Sequence, residues 1–300
     1  MPPGFPQRAS VACRCRRRWM TIAGSPPPLA TVELRPLGAG TRLATITLAS
    51  PPANTFDYAS LQALDAAIDT VERADDVRGL VLRSAVRGFF SAGFDLKALY
   101  RTDRSRFEQL WGLGKKVFRR IYALPVHSVA AIDGHALGLG CVMAMACERR
   151  YMVHRAAPSP AIEAKPVALI GLNEAAVGMP VPGWLAVRFR DLTSVRAAER
   201  LLADGSVLSP SAAADVGLVD KLFDSPQAME HAITAELDKS ARVSAMAQQQ
   251  TLSTLRREFL DRFDRVSAQD TADFWTAVSS RETQAGIGKA LARLKSKPAK

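Results

Sequence analysis

Glu174 is the lone carboxylate between Val167 and Trp184, set among Leu169, Ile170, Leu172, Val177 and Met179. A carboxylate in apolar surroundings loses hydration, so its pKa rises and it can carry protons near neutrality. The same residues also fit a glutamate opening a helix, capped by Asn173, with its head in solvent. Far upstream lie two turns of small residues, Ser91-Ala92-Gly93-Phe94 and Gly134 through Gly140, each between an apolar run and a helical pattern. A helix start presents N–H groups without intrahelical partners at its electropositive end. Small residues at Ala92, Gly93, Gly138 and Gly140 let a ligand approach the backbone closely. Two such N–H groups from different segments could hold an oxygen that gains charge during reaction, each typically worth ~3–4 kcal/mol. Beside one base, that is apparatus for forming and reprotonating an enolate. Either turn alone is equally a tight turn that happens to need glycine.

The elements that must position these groups can be read from periodicity. Thr31 to Arg35 and Arg42 to Leu48 alternate across Gly38-Ala39-Gly40 as a hairpin, and Pro51-Pro52-Ala53-Asn54 ends the second strand. Tyr58 to Arg73 carries Leu61, Leu64, Ile68 and Val71 at helical spacing. Arg78 to Ser84 reads as a buried strand, Arg106 to Ala123 as a helix, and His127 to Ile132 as a strand. Leu139 to Ala146 follows as a buried helix and Arg149 to His154 as a strand. Alternating strands and helices require crossovers and a largely parallel sheet, an α/β core. From Pro182 the pattern is helical: Trp184 to Phe189, Ser194 to Ala203, Pro210 to Val216, Pro226 to Lys239, Val243 to Asp264, Gln269 to Ser279 and Arg281 to Lys295. No internal repeat is evident.

The run Phe90-Ser91-Ala92-Gly93-Phe94-Asp95-Leu96-Lys97 and the later Ala131-Ile132-Asp133-Gly134-His135-Ala136-Leu137-Gly138-Leu139-Gly140-Cys141 resemble the enoyl-CoA hydratase/isomerase (crotonase) superfamily. Pro51-Pro52-Ala53-Asn54, Arg196 to Arg200 and Ala214 to Asp220 add to the resemblance, which spans roughly residues 30 to 295. It implies an α/β crotonase-like spiral of ββα units over 29–200, a helical region over 201–300 for oligomerisation and CoA closure, and a homotrimer or hexamer. The substrate would be an acyl-CoA thioester, with no cofactor beyond the coenzyme A it carries. By position, the oxyanion donors would be the backbone N–H groups of Phe94 and Leu139, the latter standing where many relatives have glycine. Ala92, Gly93, Gly138 and Gly140 would line the substrate, and Lys97, Phe274 and Lys289 would contact its CoA part. Asp95 reads as a turn or cap residue.

Hydratases of the superfamily resemble one another in a second glutamate just after the cysteine of the second turn. Here that position is Val142, which can neither bind nor activate water. One base suffices for moving a double bond: it takes a proton from C2 of a 3-enoyl thioester and returns it at C4. Gly171-Leu172-Asn173-Glu174 also resembles the corresponding segment of mitochondrial Δ3,Δ2-enoyl-CoA isomerases of fatty-acid oxidation. The expected activity is therefore conversion of 3-enoyl-CoA to trans-2-enoyl-CoA by Glu174. The alternatives are a 2-enoyl-CoA hydratase and a nucleic-acid-binding crotonase relative. Residues 156 to 166 form a proline-rich excursion that carries a further carboxylate, Glu163.

With 48% hydrophobic residues, the 300-residue chain can bury a sizeable core, and no apolar run reaches membrane-spanning length. The net charge of +11 would suggest nucleic acid. Five arginines (Arg8, Arg14, Arg16, Arg17 and Arg18) precede the first acid, Glu33, and removing their charge from +11 leaves +6. Residues 1–28, arginine-rich and free of acids, read as a presequence or a disordered basic segment, with the mitochondrial matrix as the expected location and no nucleic-acid partner. Cys141 and Cys147 read as buried thiols. His127, His135, His154 and His231 lack metal spacing, so structural roles and no metal are expected.

Overall fold

The computed structural model describes residues 28–155 and 167–295. The presequence expected over 1–28 lies, but for its last residue, outside the described residues, as does the excursion at 156–166 with Glu163. The chain opens with β1 (Ala30–Leu37) and β2 (Thr41–Leu48), paired antiparallel from Ala30 against Leu48 to Leu37 against Thr41. A two-residue strand, β3 (Thr55–Phe56), precedes α1 (Tyr58–Glu72). Asp57 and Ser60 close a capping box at the start of α1, fixing where the helix begins. Its Leu61, Leu64, Ile68 and Val71 are buried, as the spacing predicts.

β4 (Val77–Ser84) is buried along nearly its whole length, as expected of a central parallel strand covered on both faces. The chain then runs through β5 (Phe89–Ser91), β6 (Gly93–Phe94), the short α2 (Leu96–Leu99) and α3 (Arg104–Ala123). Next come β7 (His127–Ile132), β8 (His135–Leu137), the fully buried α4 (Leu139–Ala146), β9 (Arg149–Val153) and β10 (Ile170–Gly171). A 3-10 turn at Glu174–Val177 follows, then α5 (Gly183–Leu192), α6 (Val195–Asp204), α7 (Pro210–Asp215) and β11 (Lys221–Phe223). The helices α8 (Pro226–Ala241), α9 (Ala245–Val278) and α10 (Arg281–Lys295) complete the chain's described part.

Six strands form one sheet in the order β1-β2-β4-β7-β9-β11, parallel apart from the opening hairpin. A second parallel sheet, β10-β8-β5, and the pair β3-β6 gather the segments that carry the glycine turns and Glu174. The larger apolar core joins α1, α3 and α4 to the sheets, while Met229, Ile233 and Leu237 of α8 cover the opposite face. This is the α/β fold with a helix-rich C-terminal part that the periodicity predicts.

Two details differ from the sequence reading. Val243 to Asp264 and Gln269 to Ser279, expected as two helices, are the single α9. No glycine or proline interrupts residues 265–268, and the buried Arg256, Phe263, Asp270, Phe274 and Val278 keep one continuous stripe. β11 falls between two stretches read as helical, Pro210 to Val216 and Pro226 to Lys239, where no strand is expected. Three residues are too few to declare a period, and the strand exists because β9 offers an edge: Asp220 N–H donates to the Arg150 carbonyl at 2.9 Å, and the Arg150 N–H donates to Asp220 Oδ2 at 2.7 Å.

Candidate active site

The first glycine turn is held from behind by Asn54. Its side-chain amide donates to Ser84 Oγ (2.8 Å) and to the Phe90 carbonyl (3.0 Å), and its Oδ1 accepts the Ser50 N–H at 2.7 Å. Ser91 Oγ donates to the Asn54 carbonyl at 2.6 Å and accepts the Gly93 N–H at 3.1 Å. The proline-rich segment that ends β2 is thus also the mount of the first turn. Asp95 caps α2 by accepting the Lys97 N–H at 2.9 Å, the cap role expected of it.

The second turn packs directly on the first. A Cβ on Gly93 would lie 2.8 Å from the Leu137 carbonyl oxygen and 3.2 Å from the Leu139 nitrogen, at a φ of +91°. A Cβ on Gly140 would lie 2.5 Å from the Ser91 carbonyl oxygen. Gly140 therefore sets the spacing between the turns and is not part of the cavity wall. Leu139 is the first residue of α4, where an N–H has no partner within the helix. Its side chain and the Phe94 ring both pack toward Gly114 of α3.

Glu174 reaches this place through backbone pairing. The Ala136 N–H donates to the Leu169 carbonyl at 2.8 Å and the Gly138 N–H to the Gly171 carbonyl at 3.0 Å, so β8 and β10 tie the second turn to the segment bearing the carboxylate. Glu174 opens a 3-10 turn rather than an α-helix, and Asn173 makes no side-chain cap to it. The capped, solvated glutamate is therefore not what the fold contains. The residue as a whole keeps some exposure, but among the described residues its Oε2 is buried without a hydrogen-bond partner. Burial pushes its pKa up to about 7.

These segments bound a cavity of about 410 Å³. Ala92, Gly93, Phe94, Gly138, Leu139 and Glu174 line it, and so does Phe274 from α9. Val142, Val177, Met179 and Leu185 make an apolar compartment around the carboxylate. Lys97 and Lys289 are exposed and contribute nothing to the wall. The cation that lines it is Arg293, one helical turn beyond Lys289, together with Ala290 and Leu294 of the same helix. Sequence reasoning missed these, and it missed Trp111, Asn173 and Leu185. Ile287 of α10 is buried, but nothing in the local sequence signals which of its neighbours reach the cavity. Larger concavities of about 560 and 920 Å³ lie on the surface near Leu202 and Asp238, but neither holds a buried carboxylate.

The remaining candidates are structural in their contacts. His135 Nδ1 accepts the Leu169 N–H at 3.2 Å, and His127 pairs with Glu148. Cys141 and Cys147 are buried, and burial raises both thiols. Among the described residues, no cluster of side chains could hold a metal ion, and no helix is long and apolar enough to cross a membrane.

Residues 38–297 match the family described as enoyl-CoA hydratase/isomerase. The chain belongs to that family. Among relatives of the enoyl-CoA hydratase/isomerase family, it is 28% identical over 255 residues to enoyl-CoA delta isomerase 1, mitochondrial, of Rattus norvegicus, covering 85% of this chain and 84% of that protein. The Homo sapiens protein of the same name is 28% identical over 257 residues, covering 86% and 82%. In structure the chain is similar to human mitochondrial delta3-delta2-enoyl-CoA isomerase, with a TM-score of 0.79, 26% identity, and coverage of 88% of this chain and 98% of that one. It shares the fold of an enoyl-CoA hydratase from Bacillus halodurans at a TM-score of 0.75 and 20% identity, with 86% and 99% covered. The crotonase-like α/β fold expected from the motifs is the fold of this chain.

Proposed function

We propose that this enzyme shifts the double bond of 3-enoyl-CoA thioesters to give trans-2-enoyl-CoA, as a Δ3,Δ2-enoyl-CoA isomerase of fatty-acid oxidation. The observation that carries the reading is a single buried carboxylate, Glu174, in a cavity whose second family position is the apolar Val142. The similarity to delta isomerases named above supports it.

In this reading the thioester carbonyl lies between the N–H groups of Phe94 and Leu139, with Ala92, Gly93 and Gly138 allowing the approach. Glu174 removes a proton from C2, and the electron pair spreads over C2, C4 and the thioester oxygen as a dienolate. The two N–H donors stabilise that oxygen, and such a donor is typically worth ~3–4 kcal/mol. Protonated Glu174 then delivers its proton to C4, leaving the double bond at C2–C3. No water is consumed, so no second carboxylate is needed, and no cofactor is required beyond the coenzyme A of the substrate. A pKa near 7 suits a group that must both take and return a proton. Arg293, which lines the cavity from α10, would meet the CoA part, Phe274 beside Trp111 would meet the acyl part, and Lys97 and Lys289 would meet CoA only outside the cavity. The matrix of the mitochondrion, with a homotrimer or hexamer as the working form, completes the proposal.

The test is an assay of the purified chain with trans-3-hexenoyl-CoA and with crotonyl-CoA, each beside Glu174→Gln. Isomerisation without comparable hydration, lost by several orders of magnitude in the variant, is the expected result. Hydration at a similar rate would replace the isomerase reading with a hydratase. Turnover of neither substrate would remove both.

A further inference from the structure

The one-base mechanism leaves unused a pair of opposite charges buried behind the cavity wall. Trp111 of α3 lines the cavity and packs its ring 4.5 Å from that of Phe274 and 5.9 Å from that of Phe94. Its indole Nε1 donates to Asp270 Oδ2 at 3.0 Å, and the same oxygen lies 3.3 Å from Lys115 Nζ. Lys115 and Asp270 are both almost wholly buried. The ammonium also donates to Thr271 Oγ1 at 2.6 Å and to the Ser267 carbonyl.

Placing a charged pair in an interior costs desolvation that an apolar pair of similar volume would avoid. What this pair adds is directional: Asp270 fixes the polar edge of one indole, and Lys115 satisfies Asp270. The ring is thereby held against rotation. Behind it there is no space to yield, because Trp184 stands 6.3 Å from the Trp111 ring and is itself packed by Phe118 and Phe263 at 4.8 and 4.9 Å.

We propose that Trp111, oriented by the Asp270–Lys115 pair, is the specificity-determining wall that ends the acyl compartment. Asp270 and Lys115 are positioning residues that act through it. This inference rests on the reading of the cavity as an acyl-CoA site. Each methylene that enters an apolar compartment raises affinity about fourfold. A rigid wall makes that gain stop at one chain length, whereas a yielding or distant one lets it continue.

The experiment measures Kd by calorimetry for saturated acyl-CoAs from butanoyl to tetradecanoyl, which carry no double bond to move. The full chain is compared with Trp111→Phe, Trp111→Ala and Asp270→Asn. In the wild type, affinity should climb with chain length and then stop. Trp111→Ala should move the stop outward by two or more carbons, Trp111→Phe by less, and Asp270→Asn should blur it while retaining an acceptor for the indole. Trp111→Phe keeps an aromatic ring in the core and serves if the alanine variant does not fold. An affinity that rises without a stop through tetradecanoyl-CoA overturns the proposal, as does a stop that stays in place in both Trp111 variants. If the wild type binds no acyl-CoA at all, the reading of the site falls first and this inference with it.

Discussion

Gly138 and Glu174 confront each other across the cavity: a methyl group at Gly138 would stand 3.6 Å from Oε1 of the carboxylate. The same methyl would lie 3.4 Å from Asn173 Oδ1 and 4.0 Å from the Cα of Gly93. One glycine thus borders the carboxylate and both backbone turns, and any side chain there would fill the space between them.

Gly138→Ala should therefore lower kcat on 3-hexenoyl-CoA by at least tenfold while the protein still folds. The backbone at this position has φ +50° and ψ −124°, outside the usual basins, so the alanine should also cost about 1–3 kcal/mol of stability. Steady-state kinetics beside a urea melt separates the two effects. Full activity would mean that the substrate does not pass between Gly138 and Glu174.

The pH dependence of kcat/KM should follow Glu174. Its carboxyl must be ionised to take the C2 proton, and burial places its pKa at about 7. The rate should rise with pH through that value and level off above it. A limb near 4.5 instead would mean that the carboxyl is solvated in the free enzyme.

Stability should depend on the same proton in the opposite sense. Between about pH 4.5 and 7, the folded chain holds a proton on Glu174 that the unfolded chain has released. The residue's favourable contribution is fully present below about 4.5 and is lost as pH rises through about 7. The loss is on the order of 3 kcal/mol. Glu174→Gln has no such proton, so its stability relative to the wild type should improve across that window and stay constant above it. Denaturant melts at a series of pH values check this, and a constant difference would contradict the desolvated carboxyl.

Val142→Glu would put a second carboxylate in the wall of the same cavity. Two like charges at close range raise the pKa of at least one of them. The kcat/KM limb should move above 7 and isomerisation should slow, with crotonyl-CoA hydration as the activity to look for. An unmoved limb would place Val142 too far from the base to share its field.

Asn54→Ala should act at a distance from the chemistry. It removes two amide bonds and one acceptor from a side chain that is 1% exposed, leaving Ser84, Phe90 and Ser50 short of partners. A loss of about 2–4 kcal/mol is expected from bonds of this kind. Because the Ser91–Phe94 turn loses its mount, kcat should fall more than KM rises. Unchanged kinetics in a folded variant would show that the turn is held by Ser91 alone.

Much of this site was legible in the residues. Glu174 was marked by its solitude in an apolar run, and the turns by their glycines. α1 was legible from its helical spacing, and β7 and α4 from their apolar runs. The helix-capped form of Glu174, by contrast, rested on Asn173, a residue type that caps many helices and here caps none. The two expected halves of α9 illustrate a related limit. A gap in the apolar pattern at 265–268 looks like a break, yet a helix ends only where the backbone is stopped, and nothing there stops it.

Local pattern gave the type of the long elements and singled out Glu174 as a buried carboxylate, because periodicity and burial tendency are properties of neighbours in the chain. The short strands β6, β8, β10 and β11 were decided by tertiary structure, since each is two or three residues long and exists only against a partner strand. The same holds for the wall of the cavity. Trp111, Phe274 and Arg293 come from three helices separated by more than a hundred residues or by a turn, and the cation in that wall stands one turn beyond Lys289. Which face of a helix meets a cavity is set by the packing of whole elements, and that is information no local stretch of sequence contains.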